Sequence, residues 1–234
     1  YNKSGAKNQT VRTEGSFKKT EKGWQYVMLP LVTEAYDGTL TELRFDFLDK
    51  PAAPGETVYI KSISFMKDKV AALKLMGTDL LNPSTATVVI PGLTEEYKFL
   101  HVTDTHVSAF SDADQKKWTA TRIQYNTARR NSFMADGLFA EERFPLLFDY
   151  ADEIGADGMF LTGDLIDFPS EKNIALLYEN INRVKAKSIF CLGNHDWNYA
   201  DDYMTGNAVV TNRPLFNDLT GGDPYFSYAE YDGF

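Results

Sequence analysis

Three short apolar runs recur along the second half of the chain: KFLHVTD (98–104), DGMFLTGD (157–164) and KSIFCLGN (187–194). Near-continuous runs of this length, bounded by polar residues, read as strands buried on both faces. Two amphipathic stretches separate the later ones. FAEERFPLLFDYADEIGA (139–156) places Phe144, Leu147, Phe148, Ala151 and Ile154 on one helical stripe, with Gly155 as its stop. EKNIALLYENINRVKA (171–186) aligns Ile174, Leu177, Ile181 and Val184 in the same way. Strand, helix, strand, helix, strand predicts a parallel sheet with right-handed crossovers, so the expected fold class is α/β. With 43% hydrophobic and 14% aromatic residues, the chain can bury a proper core.

Each predicted strand ends in a polar cluster. The first ends in Asp104-Thr105-His106, the second in Gly163-Asp164-Leu165-Ile166-Asp167, the third in Gly193-Asn194-His195-Asp196. Any one of these has an ordinary explanation. Asp164 could cap a helical turn, and Gly-Asn favours a turn by itself. All three at the same edge of a parallel sheet, where ligands bind, point to a site. In extended backbone Asp104 and His106, two apart, project to one side and can grip one ion. Carboxylate with imidazole suits a first-row divalent metal better than calcium. Asp164 can bridge two metals, and Asn194 offers a neutral carbonyl oxygen to the second. Two ions about 3.5–4 Å apart can clamp a phosphoryl group and activate a water. His195 is then free to donate a proton or hydrogen bond to the leaving oxygen, while Asp167 and Asp196 orient ligands or His195.

The order D-x-H, G-D-x-x-D, G-N-H-D resembles the calcineurin-like metallophosphoesterases over about residues 97–234. The resemblance implies an α/β/β/α sandwich and a centre of two divalent or transition metal ions (manganese, iron or zinc). It also implies hydrolysis of a small-molecule phosphomonoester or phosphodiester. Asp104 and His106 match ligands of the first metal, Asp164 the bridge and Asn194 a ligand of the second. His195 matches the catalytic histidine and Asp167 the position that supports it. The family completes its site with a further histidine and a G-H-x-H motif, yet no histidine follows His195 here. The expectation is therefore a sandwich incomplete at its C-terminal end, with the remaining ligands beyond Phe234, rather than a decayed relative. Such a piece by itself should bind metal weakly and turn over poorly.

The front of the chain has a different rhythm. Residues 1–76 read as an all-β sandwich, with strands at 24–29, 43–48 and 57–65 and turns at 36–39 and 51–56. The pattern W…G.(I/L)T.LR.D…GE.VYI.SI.F over 24–65 resembles a partial jelly-roll domain of the carbohydrate-binding type. Trp24 and Tyr26 are candidates to stack on sugars, although packing in the core is the favoured expectation for both. Residues 77–96 form a linker in which TATVVI could add a strand. A second function thus stands beside the enzyme: a non-enzymatic cell-surface glycan-binding protein built on a degenerate phosphoesterase scaffold. The sandwich suggests an extracellular or cell-surface setting, with the cytoplasm as the alternative.

A helical insertion at 112–136 carries Lys116, Lys117, Arg122, Arg129 and Arg130. The lysines read as a solvated face, while Arg129 and Arg130 are candidates to meet an anionic substrate. Trp197, Tyr199 and Tyr203 in the loop 197–224 could flank a substrate or merely pack. The net charge of −9 argues against a general nucleic-acid binder and against adhesion to an anionic membrane, and no run of about 18 apolar residues predicts a membrane span. The single cysteine, Cys191, excludes an internal disulfide and reads as a small buried hydrophobe. The sequon Asn8-Gln9-Thr10 carries little weight.

Overall fold

A computed structural model describes residues 23–29, 54–55, 57–201 and 207–220. The chain divides into two compact units, Tyr1–Thr78 and Asp79–Phe234. The strand expected at 43–48, the turn at 36–39, the sequon, Tyr203 and the segment after Thr220 lie outside the described residues.

In the first unit, residues 24–29 and 57–65 pair with no other described strand, and a helix, α1 (Lys69–Leu75), closes the segment read as all-β. Asp68 starts it, its side chain accepting the Ala71 N–H at 3.1 Å. Trp24 and Tyr26 are 62% and 60% exposed, which corrects the expectation that they pack in a core. Lys61 Nζ lies 5.8 Å from the Trp24 ring centroid.

In the second unit TATVVI forms no strand. Val88 and Val89 are exposed, and no described strand offers them a ladder. The three expected strands are present as β1 (Phe99–Val102), β2 (Gly158–Leu161) and β3 (Lys187–Phe190). They form one parallel sheet in the order β1-β2-β3, with Phe99 opposite Gly158 and Gly158 opposite Lys187. Central β2 is buried at three of its four positions, as its continuous apolar run predicts. The class is mixed α/β with a parallel sheet and helices, as expected, and one sheet is seen among the described residues.

The insertion after β1 holds α2 (Asp112–Gln115) and α3 (Ala120–Ser132), separated at Thr119, whose side chain caps α3 by accepting the Arg122 N–H. Then come α4 (Ala140–Ile154) before β2 and α5 (Glu171–Arg183) before β3. Gly155 ends α4 in the left-handed conformation, φ 63°, where a residue with a Cβ is disfavoured. Ser170 caps α5: its Oγ accepts the Asn173 N–H at 3.0 Å and donates to Ala109 O at 2.6 Å. α4 buries Phe144, Leu146, Phe148 and Ala151. Phe144, Phe148 and Ala151 share one core with Met159 and Leu161 of β2, Leu177 of α5 and Phe190 of β3; the expected Leu147 packs against that core, and Leu146 is buried outside it. After β3 the chain forms α6 (Asn207–Thr211), a 3-10 turn at Arg213–Phe216 that adds Phe216 to the core, and α7 (Asn217–Thr220). Among the described residues no helix is long and apolar enough to cross a membrane.

Candidate metal centre

Both ladders stop before the polar clusters begin, and beyond β1 and β2 the backbone leaves the β region. Asp104, His106 and Asp164 have φ of 54°, 44° and 50°, and Gly163 has φ 92°. This corrects the reading of Asp104 and His106 as neighbours on an extended strand. Left-handed backbone costs a non-glycine residue roughly 1–2 kcal/mol, so the surroundings must hold it in place. Two devices do so. First, segments 104–107 and 163–165 run side by side: Asp104, His106 and Val107 donate their N–H groups to the carbonyls of Gly163, Asp164 and Leu165 at 3.1, 3.0 and 2.9 Å.

Second, Asp196 works as a clamp on backbone. It is fully buried, and its carboxylate accepts N–H groups from Asp164 (2.8 Å), Gly193 (2.8 Å) and Ile166 (3.0 Å). The sequence reading assigned Asp196 to orienting ligands or His195; it acts on the turns that carry them. Burial pushes its carboxyl up to about 7, against the opposing pull of those three donors. Asp196→Asn is expected to place an amide NH2 against one of those N–H groups in a site that water does not reach. The loss should be about 1–3 kcal/mol, read as a lowered midpoint in denaturant unfolding.

The turns also meet closely. A Cβ on Gly163 would come within 2.6 Å of Gly193 N, and one on Gly193 within 2.2 Å of Asp164 Oδ1. Both glycines are therefore required by space. Asp164 Oδ1 accepts the His195 N–H at 2.8 Å, which joins the second turn to the third.

On this frame the side chains converge in two overlapping groups. The ligand atoms of Asp104, His106 and Asp164 all lie within 4.8 Å of one another, with His106 Nε2 3.8 Å from Asp104 Oδ1. Those of His106, Asp167 and His195 are similarly close. The nature of the neighbours separates the two groups. Asp167 is almost fully buried, and Arg129 of α3 donates Nε to its Oδ2 at 2.8 Å and Nη2 to its Oδ1 at 2.5 Å. That guanidinium already supplies the positive charge, so the Asp167 group is a hydrogen-bond hub and repels a further cation. The Asp104 group carries two carboxylates and no arginine or lysine partner among the described residues, and it is open to solvent at Asp104, whose side chain is 61% exposed. His106 fits the ligand role in a second respect. Its Nδ1 lies 3.1 Å from Asp167 Oδ1, the carboxylate support that metal-binding histidines generally have, and Nε2 is left for a cation.

His195 Nδ1 lies 3.1 Å from Asp167 Oδ1 and 3.3 Å from the Asp167 carbonyl oxygen. The edge of its ring meets the His106 ring with centroids 4.7 Å apart. Asn194 is exposed at the start of the turn 194–197 and makes no hydrogen bond among the described residues. His101, the remaining histidine, shares a hydrogen bond with Thr162 Oγ1 on the exposed part of β1.

Arg129 and Arg130, read as candidates for an anionic substrate, have protein partners instead. Arg130 pairs with Glu141 through Nε at 2.6 Å and lies over the Phe139 ring. Lys117 pairs with Glu171 at the surface. Tyr199 packs with Trp118 and Phe168, and Arg213 covers Trp197, so two of the candidate aromatics are engaged in packing. Cys191 is half-buried, and burial raises its thiol, which makes it a weak nucleophile. Sequence reasoning missed Phe133, the C-cap of α3, whose ring stacks on His106 with centroids 5.1 Å apart and planes 3° apart. Its only sequence signal is its place four residues after Arg129.

Two polar strand ends of the parallel sheet bring two carboxylates and an imidazole close enough to hold a metal ion. The profile of the calcineurin-like phosphoesterase family matches residues 97–232, more than half of the chain, and the chain belongs to that family. A search of curated proteins finds none that matches.

Proposed function

We propose that this chain carries a dinuclear metallophosphoesterase site that hydrolyses a small phosphomonoester or phosphodiester. The observation that supports it is the convergence of Asp104, His106 and Asp164, from two separate strand ends, to within 4.8 Å of one another at a place open to solvent through Asp104. Two carboxylates and an imidazole suit manganese, iron or zinc. In this reading Asp104, His106 and Asp164 hold the first cation, and Asp164 with Asn194 supplies ligands to the second. Divalent cations, when bound, screen the phosphoryl charge and make a nucleophile available at neutral pH.

The chain's own residues supply the rest. With Nδ1 turned to Asp167, His195 has Nε2 free to donate its proton to the leaving oxygen as the phosphoester bond breaks. Asp167 keeps that ring from swinging, through its carbonyl oxygen and its carboxylate. The left-handed turns at Asp104, His106 and Asp164 preorganise the ligands, so little reordering is needed when charge develops. The test is a manganese titration of the full chain by calorimetry, followed by turnover of an aryl phosphate and a bis-aryl phosphate. Saturable binding with manganese-dependent release of the aryl alcohol is expected. A chain that binds no transition metal at micromolar to millimolar concentrations would sink the proposal.

A further inference from the structure

We infer that Arg129, supplied by the insertion between β1 and α4, is a positioning residue of this site: it pins the Asp167 carboxylate so that His106 presents Nε2 outward. The inference rests on the metallophosphoesterase reading for its consequence, while its geometry stands alone.

The Asp167 side chain is 1% exposed. A buried carboxylate needs a compensating charge, and two neutral imidazoles do not provide one. Arg129 does, and it does so as a fork, with Nε on Oδ2 and Nη2 on Oδ1. Two parallel bonds fix the plane of the carboxylate as well as its charge, which a lysine could not do. In that plane Oδ1 is hydrogen-bonded to Nδ1 of His106 at 3.1 Å, while Nδ1 of His195 is hydrogen-bonded to the Asp167 carbonyl oxygen at 3.3 Å. An ionised carboxylate and a carbonyl oxygen only accept, so each Nδ1 carries the hydrogen, and only that of His106 depends on the carboxylate Arg129 holds. In neutral His106 the lone pair is then on Nε2, where a cation is to be bound, and His195 has Nε2 available for the leaving group.

The same turn of α3 fixes the His106 ring from its face. Phe133 stacks on it, and Arg129 Cζ lies 4.7 Å from the Phe133 ring centroid. The insertion is itself tied down. Buried Asp114 accepts N–H groups from Ser111 at 2.8 Å and from Glu171, at the start of α5, at 2.9 Å. Arg122 binds Asp201 at 2.9 Å and lies over the Tyr199 ring. Arg130, in the last turn of α3, is paired with Glu141 at 2.6 Å, so α3 is held at both ends and gives Arg129 a fixed position. The basic insertion therefore serves the site from behind, through Asp167.

The experiment compares the full chain with Arg129→Met by imidazole 15N NMR without metal and by manganese calorimetry. The expected result is Nδ1–H in both His106 and His195 of the unsubstituted chain. In Arg129→Met that preference should be lost at His106 and kept at His195, and manganese affinity should fall about 10–100-fold, while thermal unfolding stays cooperative. Unchanged imidazole signals in the variant overturn the inference. If Arg129→Met does not fold, Arg129→Gln carries the same comparison. An unsubstituted chain that shows Nδ1–H rings yet binds no manganese sinks the metal reading and leaves the positioning role intact. Manganese binding with rings indifferent to Arg129 does the reverse.

Discussion

Asp164→Asn is expected to yield a folded chain that has lost divalent-metal binding and phosphoester hydrolysis. The substitution separates chemistry from architecture because of where the hydrogen bonds fall. The backbone N–H of Asp164 goes to Asp196, and its carbonyl accepts the His106 N–H, so neither depends on the side chain. The one side-chain bond, from the His195 N–H to Oδ1 at 2.8 Å, can be kept by the carbonyl oxygen of asparagine. Asparagine also tolerates the left-handed φ of 50° at this position at least as well as aspartate. What disappears is the charge and the second oxygen, the one feature able to bridge two cations. Loss of a residue that supports a ligand costs about 10–100-fold in affinity or rate, so loss of the shared ligand itself should exceed that range. Manganese calorimetry, aryl phosphate turnover and a thermal melt on the same sample check it. An asparagine variant that binds manganese as the unsubstituted chain does would refute the assignment of Asp164.

Gly163→Ala should be the most disruptive single-methyl change in the second unit. Gly163 has φ 92°, and its Cβ would lie 2.6 Å from Gly193 N and 2.9 Å from Gly193 Cα. The obstacle is backbone, so no rotamer change relieves it. Relief requires the 163 and 193 turns to part, which pulls Asp164 and Gly193 away from the Asp196 carboxylate they share. Left-handed strain of roughly 1–2 kcal/mol and overpacking of about 1–3 kcal/mol together give about 2–5 kcal/mol of destabilisation. A loss of that size lowers Tm by roughly 5–15 °C in a unit of this length. Gly155→Ala is the matched control. It has φ 63° but nothing within 4 Å of its Cβ, so only the backbone term applies, about 1 kcal/mol. Equal Tm shifts in the two variants would show that the approach of the two turns is not what demands glycine at 163.

Much of the second unit was legible from local pattern. A strand buried on both faces and a helix with one apolar stripe each write their environment into consecutive residues, so β1, β2, β3, α4 and α5 could be placed before any coordinates. The C-terminal stop of α4 at Gly155 came from the same local chemistry. The stripe placed Leu147 correctly against the core and did not foresee that Leu146, off that stripe, is buried as well. TATVVI failed for the opposite reason: β propensity is a statement about having a partner, and none of the described strands supplies one.

By itself the sequence determined that three apolar strands run parallel and deliver Asp104, His106, Asp164, Asp167, Asn194, His195 and Asp196 to one edge. It determined this because burial and strand-end chemistry are properties of short contiguous stretches. Only the tertiary structure decided what those residues do to one another. Asp196 holds the Asp164 turn from 32 positions away, Arg129 reaches Asp167 across 38, and Phe133 faces His106 after an intervening insertion. The left-handed backbone at Asp104, His106 and Asp164 belongs to that second group as well. Strained dihedrals and buried charge pairs exist because distant segments hold them in place, and no local pattern of residues encodes which distant segment will arrive.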